Sequence, residues 1–227
     1  MKDNRSHKTS VGGGLYESIF YHLTSIENLF VAWREFKRGK TKKADVIVFE
    51  HNLEDNIFKL RETLLAETWV CDGYKKFSIK DPKSRIIHKA TVRDRLLHHA
   101  IYRILYPYFD KKFISDSYSC RLNKGTHKAL ERVKVFSRKV SKNNTKQCWI
   151  LKCDIKKFFA SVDHQKLMEI LRKHIEDREA LWLLERIIAS FVSKVPFDIG
   201  LPLGNLTSQL LVNVYMHEFD MFVKQEL

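Results

Sequence analysis

The sequence predicts an α+β chain in which helices dominate and the strands are few, short and antiparallel. Apolar residues recur at steps of three or four over most of its length, the spacing of one buried helix face. Alternation by two occurs only briefly, between Tyr74 and His88. No regular exchange of strands and helices suggests a wound parallel sheet. With 227 residues, 44% hydrophobic and 12% aromatic, the chain holds enough apolar surface for a core and too much for disorder.

The elements follow in order. Residues 1–24, including Gly12-Gly13-Gly14, are expected to be a flexible leading segment; the triplet lacks the Lys-Ser/Thr of a phosphate loop. Ser25 is placed to cap a helix carrying Ile26, Leu29, Phe30, Trp33 and Phe36 on one stripe and ending at Gly39. Val46, Phe49, Leu53, Ile57, Leu60 and Leu64 predict one further helix. Tyr74–Lys80 and Arg85–His88 predict a hairpin turning at Asp81-Pro82-Lys83-Ser84. Thr91 with Asp94 resembles a capping box, opening a helix through Leu97, Ile101 and Leu105 that should close near Pro107. A basic helix is expected over 126–140. Next comes Cys148–Cys153, a short apolar strand delivering Asp154 at its end. Helices are expected near 163–174 and 178–191. A Gly- and Pro-containing turn over 198–205 then leads to a last helix, with Thr207 or Ser208 as its N-cap.

Charge narrows the function classes. The net charge is +14, and it is concentrated: Lys75–Lys112 holds 11 basic and 3 acidic residues, Arg121–Lys146 holds 9 and 1. The remainder is slightly acidic. Both basic segments interleave cations with aromatics such as Tyr74, Phe77, Tyr102, Tyr106 and Tyr118, a composition suited to phosphates and stacked bases. Solvated helix faces are the bland alternative. No apolar run approaches the roughly 20 residues that span a bilayer, so a soluble, intracellular protein without a membrane partner is expected. Cys71, Cys120, Cys148 and Cys153 form no CxxC pair and are expected to be reduced and mostly buried. The histidines, His98-His99 included, lack metal-ligand spacing and are expected to pack or face solvent.

Three places can carry chemistry. Asp154, at a strand end before Ile155 and Phe158-Phe159, suits a hard cation, though such a residue taken alone is more often a cap or strand-end carboxylate. Lys83 and Arg85 put two cations on a turn, able to grip a triphosphate or simply be solvated. Gly200–Gln209 is a tight turn feeding a helix start, where glycine lets backbone approach a ligand.

Taken together these pieces resemble bacterial reverse transcriptases of the group II intron, retron and retroelement kind. Phe77–Ile87 and Thr91–Ala100 resemble the fingers motifs, and Ser117–Arg121 with Lys124–Ala129 continues them. Leu151–His164 resembles the palm's first metal motif, and Gly200–Asn213 the motif after it. The box Leu203-Gly204-Asn205-Leu206-Thr207-Ser208-Gln209 is similar to that of diversity-generating retroelement enzymes, where most relatives read Gln-Gly followed by Ser-Pro.

The resemblance implies fingers over 25–146 and the first part of a palm over 147–227, in a prokaryotic cytoplasmic RNA-directed DNA polymerase that copies RNA with frequent errors. It implies that Asp154, with the Ile155 carbonyl, binds catalytic Mg2+. Lys83 and Arg85 would hold a deoxynucleoside triphosphate, Phe158 and Phe159 would border its sugar, and Leu203, Gly204 and Gln209 the nascent pair. Arg93, Arg95, Arg121, Lys124, Lys128, Arg132, Lys134 and Arg138 would contact template RNA and primer, or an RNA–DNA duplex. A small basic accessory protein is a further partner it allows. One departure stands out: the family's aromatic-x-Asp-Asp hairpin and its thumb find no counterpart, so the isolated 227 residues are expected to be inactive. A non-catalytic RNA-binding module is the alternative.

Overall fold

The computed structural model describes residues 18–80, 83–193 and 198–226. Ten helices and a two-stranded antiparallel sheet are assigned among them: α1 (Ile19–Thr24), α2 (Ile26–Lys37), α3 (Ala44–His51), α4 (Leu53–Leu65), β1 (Tyr74–Lys80), β2 (Ser84–Ala90), α5 (Val92–Asp110), α6 (Thr126–Val140), α7 (Phe158–Ser161), α8 (His164–Arg172), α9 (Arg178–Ala189) and α10 (Leu206–Gln225). This is the expected helix-rich α+β architecture. No helix among the described residues is long and apolar enough to cross a membrane.

α5 is the central beam, touching α1, α2, α3 and α10. Its stripe of Leu97, Ala100, Ile101, Leu105 and Phe109 is buried with Leu29, Trp33 and Phe36 of α2 in a core that continues into Leu167, Leu171, Leu183 and Ile187 of α8 and α9. Ser25 caps α2 as the sequence predicts, accepting from the Asn28 N–H. Asn28 then donates to the carbonyls of Leu23 and Ala100 at 3.1 and 3.2 Å, tying α1, α2 and α5 together.

Several expectations are corrected. Part of the leading segment is ordered: α1 buries Ile19, Phe20 and Leu23, and Asp177 accepts from Ser18 Oγ and the Phe20 N–H. The Gly12–Gly14 triplet lies outside the described residues, as do Asp81 and Pro82. The single helix expected over 46–64 is two, α3 and α4, broken at Asn52. α5 runs three residues past Pro107, because Tyr106 and Phe109 remain buried on its inner face and packing outweighs one lost backbone bond. Thr91 caps α5 through the Asp94 N–H, but the Asp94 carboxylate turns to the Asp72 N–H instead of returning to Thr91. Residues 148–153 form no strand: Trp149 is 85% and Leu151 89% exposed. An apolar run becomes a strand only where another strand takes up its backbone groups, and none among the described residues does. The four cysteines are free, and none is buried.

Candidate functional site

The loop 198–205 is where distant parts of the chain meet. The Gly200 N–H donates to the Val162 carbonyl and the Leu201 N–H to the Phe159 carbonyl, both at 2.7 Å. His164 adds a backbone bond to the Asp198 carbonyl and a ring-nitrogen contact of 2.7 Å to the Gly200 carbonyl. On the other side the His88 N–H donates to the Leu203 carbonyl at 2.9 Å, and Asn205 donates to the His88 carbonyl at 3.1 Å. Both backbone groups of one β2 residue are thus taken by the box. Gly204 makes this approach feasible: it sits at φ +112°, and a Cβ there would lie 2.6 Å from Ile87 Cγ2.

α10 starts at the box, with Asn205 in the N-cap position but no side-chain cap. The expectation that Thr207 or Ser208 is the N-cap is therefore wrong. Both lie buried inside the first turn, and the Thr207 hydroxyl is 2.8 Å from Nδ1 of His98 on α5. His98 is 2% exposed, and burial holds its ring down to a pKa of about 4, so it is neutral at pH 7. Nothing local in the sequence announces this pairing, which spans 109 positions.

Phe158 and Phe159 are half-buried, with ring centroids 6.0 Å apart in an edge-to-face arrangement. α7 carries them after Lys157, whose φ of 53° turns the chain sharply. Asp154 and Ile155 precede that turn, exposed, and the Asp154 carboxylate has no hydrogen bond or ion pair among the described residues.

Lys83 and Arg85 are exposed at the hairpin tip. Strand alternation and the register place Arg85, Ile87 and Lys89 on one sheet face with their cross-strand partners Ile79, Phe77 and Lys75. That face continues to Gly204 and Gln209, so hairpin and box share one surface.

The eight proposed nucleic-acid cations divide. Arg121 is a staple: its side chain is 5% exposed, paired to Asp110 at 2.7 Å and bonded to the carbonyls of Asp110, Ile114 and Ser117. Arg93 is likewise committed, to Asp72, Asp94 and the Val70 carbonyl. Both were expected to meet nucleic acid; in this structure their guanidinium groups are bonded within the chain. Lys124 donates to the Ser115 carbonyl, and Arg95 pairs with Asp45. Arg132 pairs with Asp116, which also receives Lys224 of α10. Burial would raise Asp116, but hydrogen bonds from Lys224 and Arg132 outweigh it and hold the carboxyl at about 2. Lys128, Lys134 and Arg138 remain exposed and without an ion pair among the described residues, on a helix that buries no residue.

The family described as "Reverse transcriptase (RNA-dependent DNA polymerase)" matches residues 75–227. Among curated proteins, the chain is 28% identical over 147 residues to protein YkfC of Escherichia coli K12, covering 63% of this chain and 38% of that one. It is 26% identical over 179 residues to the group II intron-encoded protein LtrA of Lactococcus lactis subsp. cremoris, covering 76% of this chain and 29% of that one. The chain therefore spans between 16% and 38% of the length of the curated relatives it matches. A solved structure described as a partial Cas6-RT-Cas1–Cas2 complex shares the fold, with a TM-score of 0.61, 20% identity and coverage of 98% of this chain and 39% of that one.

Proposed function

Because this chain belongs to the reverse transcriptase (RNA-dependent DNA polymerase) family, we propose that it supplies the fingers, 25–146, and the first part of the palm, 147–227, of an RNA-directed DNA polymerase. The observation that carries this reading is the convergence on the loop 198–205. The hairpin bearing Lys83 and Arg85 reaches it at Leu203 through His88, and the segment bearing Phe159 reaches it at Leu201. Three separate stretches of sequence are thereby joined around one surface.

In this reading Lys83 and Arg85 hold the triphosphate of a deoxynucleotide. Phe159, supported by Phe158, stands beside its sugar, and Leu203, Gly204 and Gln209 border the base pair. Lys128, Lys134 and Arg138, with Arg132, follow the phosphates of RNA template and primer. Phosphoryl transfer asks a protein mainly for positioning and charge neutralisation, and these residue types supply both. For magnesium, Asp154 with the Ile155 carbonyl would be the anchor. The described residues do not by themselves fit a two-ion site, since none of them forms a group of three or more His, Cys, Asp or Glu able to hold a metal. The reading therefore requires further carboxylates beside Asp154.

Two finer features belong to the same reading. Leu203 offers no hydrogen bond where most relatives are expected to carry Gln, which supports error-prone copying of the diversity-generating retroelement kind. A prokaryotic cytoplasm is the proposed setting, with a small basic protein as a candidate accessory. RNA-templated primer extension by the full-length gene product tests the core of it: extension abolished by Asp154→Ala is expected, and extension indifferent to that change overturns it. The exposed cations of α6, without an ion pair among the described residues, favour the second reading, an RNA-binding module. RNA binding with no extension would select it.

A further inference from the structure

The basic helix α6 is fastened to the rest of the fold by charge. It buries none of its residues, and Leu130, Val135 and Val140 are each more than half exposed. A helix without a buried stripe has no apolar packing to fix its rotation about its own axis. One carboxylate supplies the fixing instead. Asp116, its side chain 15% exposed, accepts at one oxygen from Arg132 Nε of α6 at 2.8 Å and at the other from Lys224 Nζ of α10 at 2.7 Å. The same two cations lie over the Phe136 ring of α6, at 4.3 and 5.1 Å from its centre. The Tyr118 hydroxyl donates at 3.3 Å to the oxygen that receives Arg132. Among the described residues, no other side chain of α6 forms an ion pair.

The clamp stands on a fixed base. Asp116 lies in the stretch 111–125, which Arg121 staples to Asp110 and which Asn213 of α10 holds by donating to the Ser119 carbonyl at 2.8 Å. Arg132 and Phe136, one turn apart, are thereby drawn toward α10. The 3.6-residue period then puts Lys134 and Arg138, also one turn apart, on the opposite side of α6. Both are exposed there. A helix turned by half a revolution would present Arg132 and Phe136 to water and hide these two cations.

Resting on the reading that α6 follows the phosphates of RNA, we propose that Asp116 is a positioning residue for that contact: it fixes the rotation of α6 against α10 and so aims Lys134 and Arg138 at the strand. The sign of its effect separates this role from plain electrostatics. A carboxylate beside a polyanion-binding surface repels the polyanion, and this one also occupies Arg132 and Lys224. As charge alone, its removal tightens RNA binding. As a clamp, its removal frees the rotation of α6 and weakens binding.

A fluorescent single-stranded oligouridylate is titrated into the chain and into Asp116→Asn, Asp116→Glu, the double variant Lys134→Gln/Arg138→Gln and the triple variant that adds Asp116→Asn to it. Asn keeps the shape of Asp116 and removes its charge. Asp116→Asn should weaken binding about tenfold, Asp116→Glu should restore most of the loss, and Asp116→Asn should add nothing once Lys134 and Arg138 are neutral. Unchanged or tighter binding by Asp116→Asn overturns the proposal. So does a loss that is as large in the triple variant. If Asp116→Asn melts early, Lys224→Met replaces it, since that side chain is 45% exposed and keeps its stem. Hydrogen exchange is then the measurement: amides of 126–140 should exchange faster while those of α5 stay unchanged, and unchanged exchange in α6 overturns the clamp. A Lys134→Gln/Arg138→Gln protein that binds RNA like the unmodified chain overturns the reading of α6 as an RNA surface. Faster α6 exchange in Asp116→Asn would leave the clamp itself standing in that case.

Discussion

Gly204→Ala probes the junction on which the site depends. The residue sits at φ +112°, outside the regions an L side chain adopts readily, and such strain costs about 1–3 kcal/mol. The new Cβ would also begin 2.6 Å from Ile87 Cγ2, so β2 and the box have to separate before contact becomes ordinary. That separation falls on the 2.9 Å bond from the His88 N–H to the Leu203 carbonyl, whose loss is worth about 1 kcal/mol. Together the substitution should destabilise the chain by about 2–4 kcal/mol. For a chain of this size that lowers Tm by roughly 5–15 °C. Urea unfolding of four proteins (unmodified, Gly204→Ala, Ile87→Ala and the double variant) separates the two causes. Ile87→Ala removes the clashing methyl but leaves the backbone strain, so the double variant should be more stable than the sum of the single losses by about 1 kcal/mol. Strict additivity would show that the methyl clash is absent, and a loss below about 0.5 kcal/mol for Gly204→Ala would refute the whole account.

Reversing Lys128, Lys134 and Arg138 to Glu should weaken RNA binding and flatten its salt dependence, since these cations are unpaired; an equal effect from reversing Lys37, Lys166 and Lys173 would refute this. Arg121→Ala should act on folding instead, costing about 3 kcal/mol in denaturant because Asp110 and three carbonyls lose their donor. Stability should fall with acid between pH 6.5 and 4. The buried His98 ring binds its proton only near 4 in the fold but near 6.5 in the unfolded chain, so stability present at neutral pH is lost as pH drops, and His98→Asn should reduce that slope. Leu203→Gln should lower the error rate of the full-length gene product without removing its extension activity, as judged by sequencing the copied strand.

Local structure was legible wherever neighbours in sequence decide it. The Ser25 cap, the antiparallel pairing of Tyr74–Lys80 with the strand that follows it, the basic helix 126–140 and the final helix all follow from short-range rules of capping, alternation and period. The span 148–153 shows the opposite case. Its composition is that of a buried strand, yet a strand depends on a partner's backbone, and composition carries no information about one.

The candidate site divides along the same line. Residue types and order, with the family resemblance they carry, nominated Lys83, Arg85, Asp154, Phe159 and the Leu203–Gln209 box as candidates for chemistry, because reacting groups are tied to short motifs. Net charge likewise marked two segments for a polyanion, but charge adds up along a chain without regard to partners. Only the tertiary structure separated Arg121 and Arg93, consumed by internal carboxylates and carbonyls, from Lys128, Lys134 and Arg138, which face water. Only it brought Arg132 and Lys224 onto one carboxylate, Asp116, and set His98 against Thr207 across 109 positions. The physical reason is range: caps and periodicity act over a few residues, whereas burial, ion pairing and the fate of a buried ring nitrogen are set by whatever the packed core brings alongside.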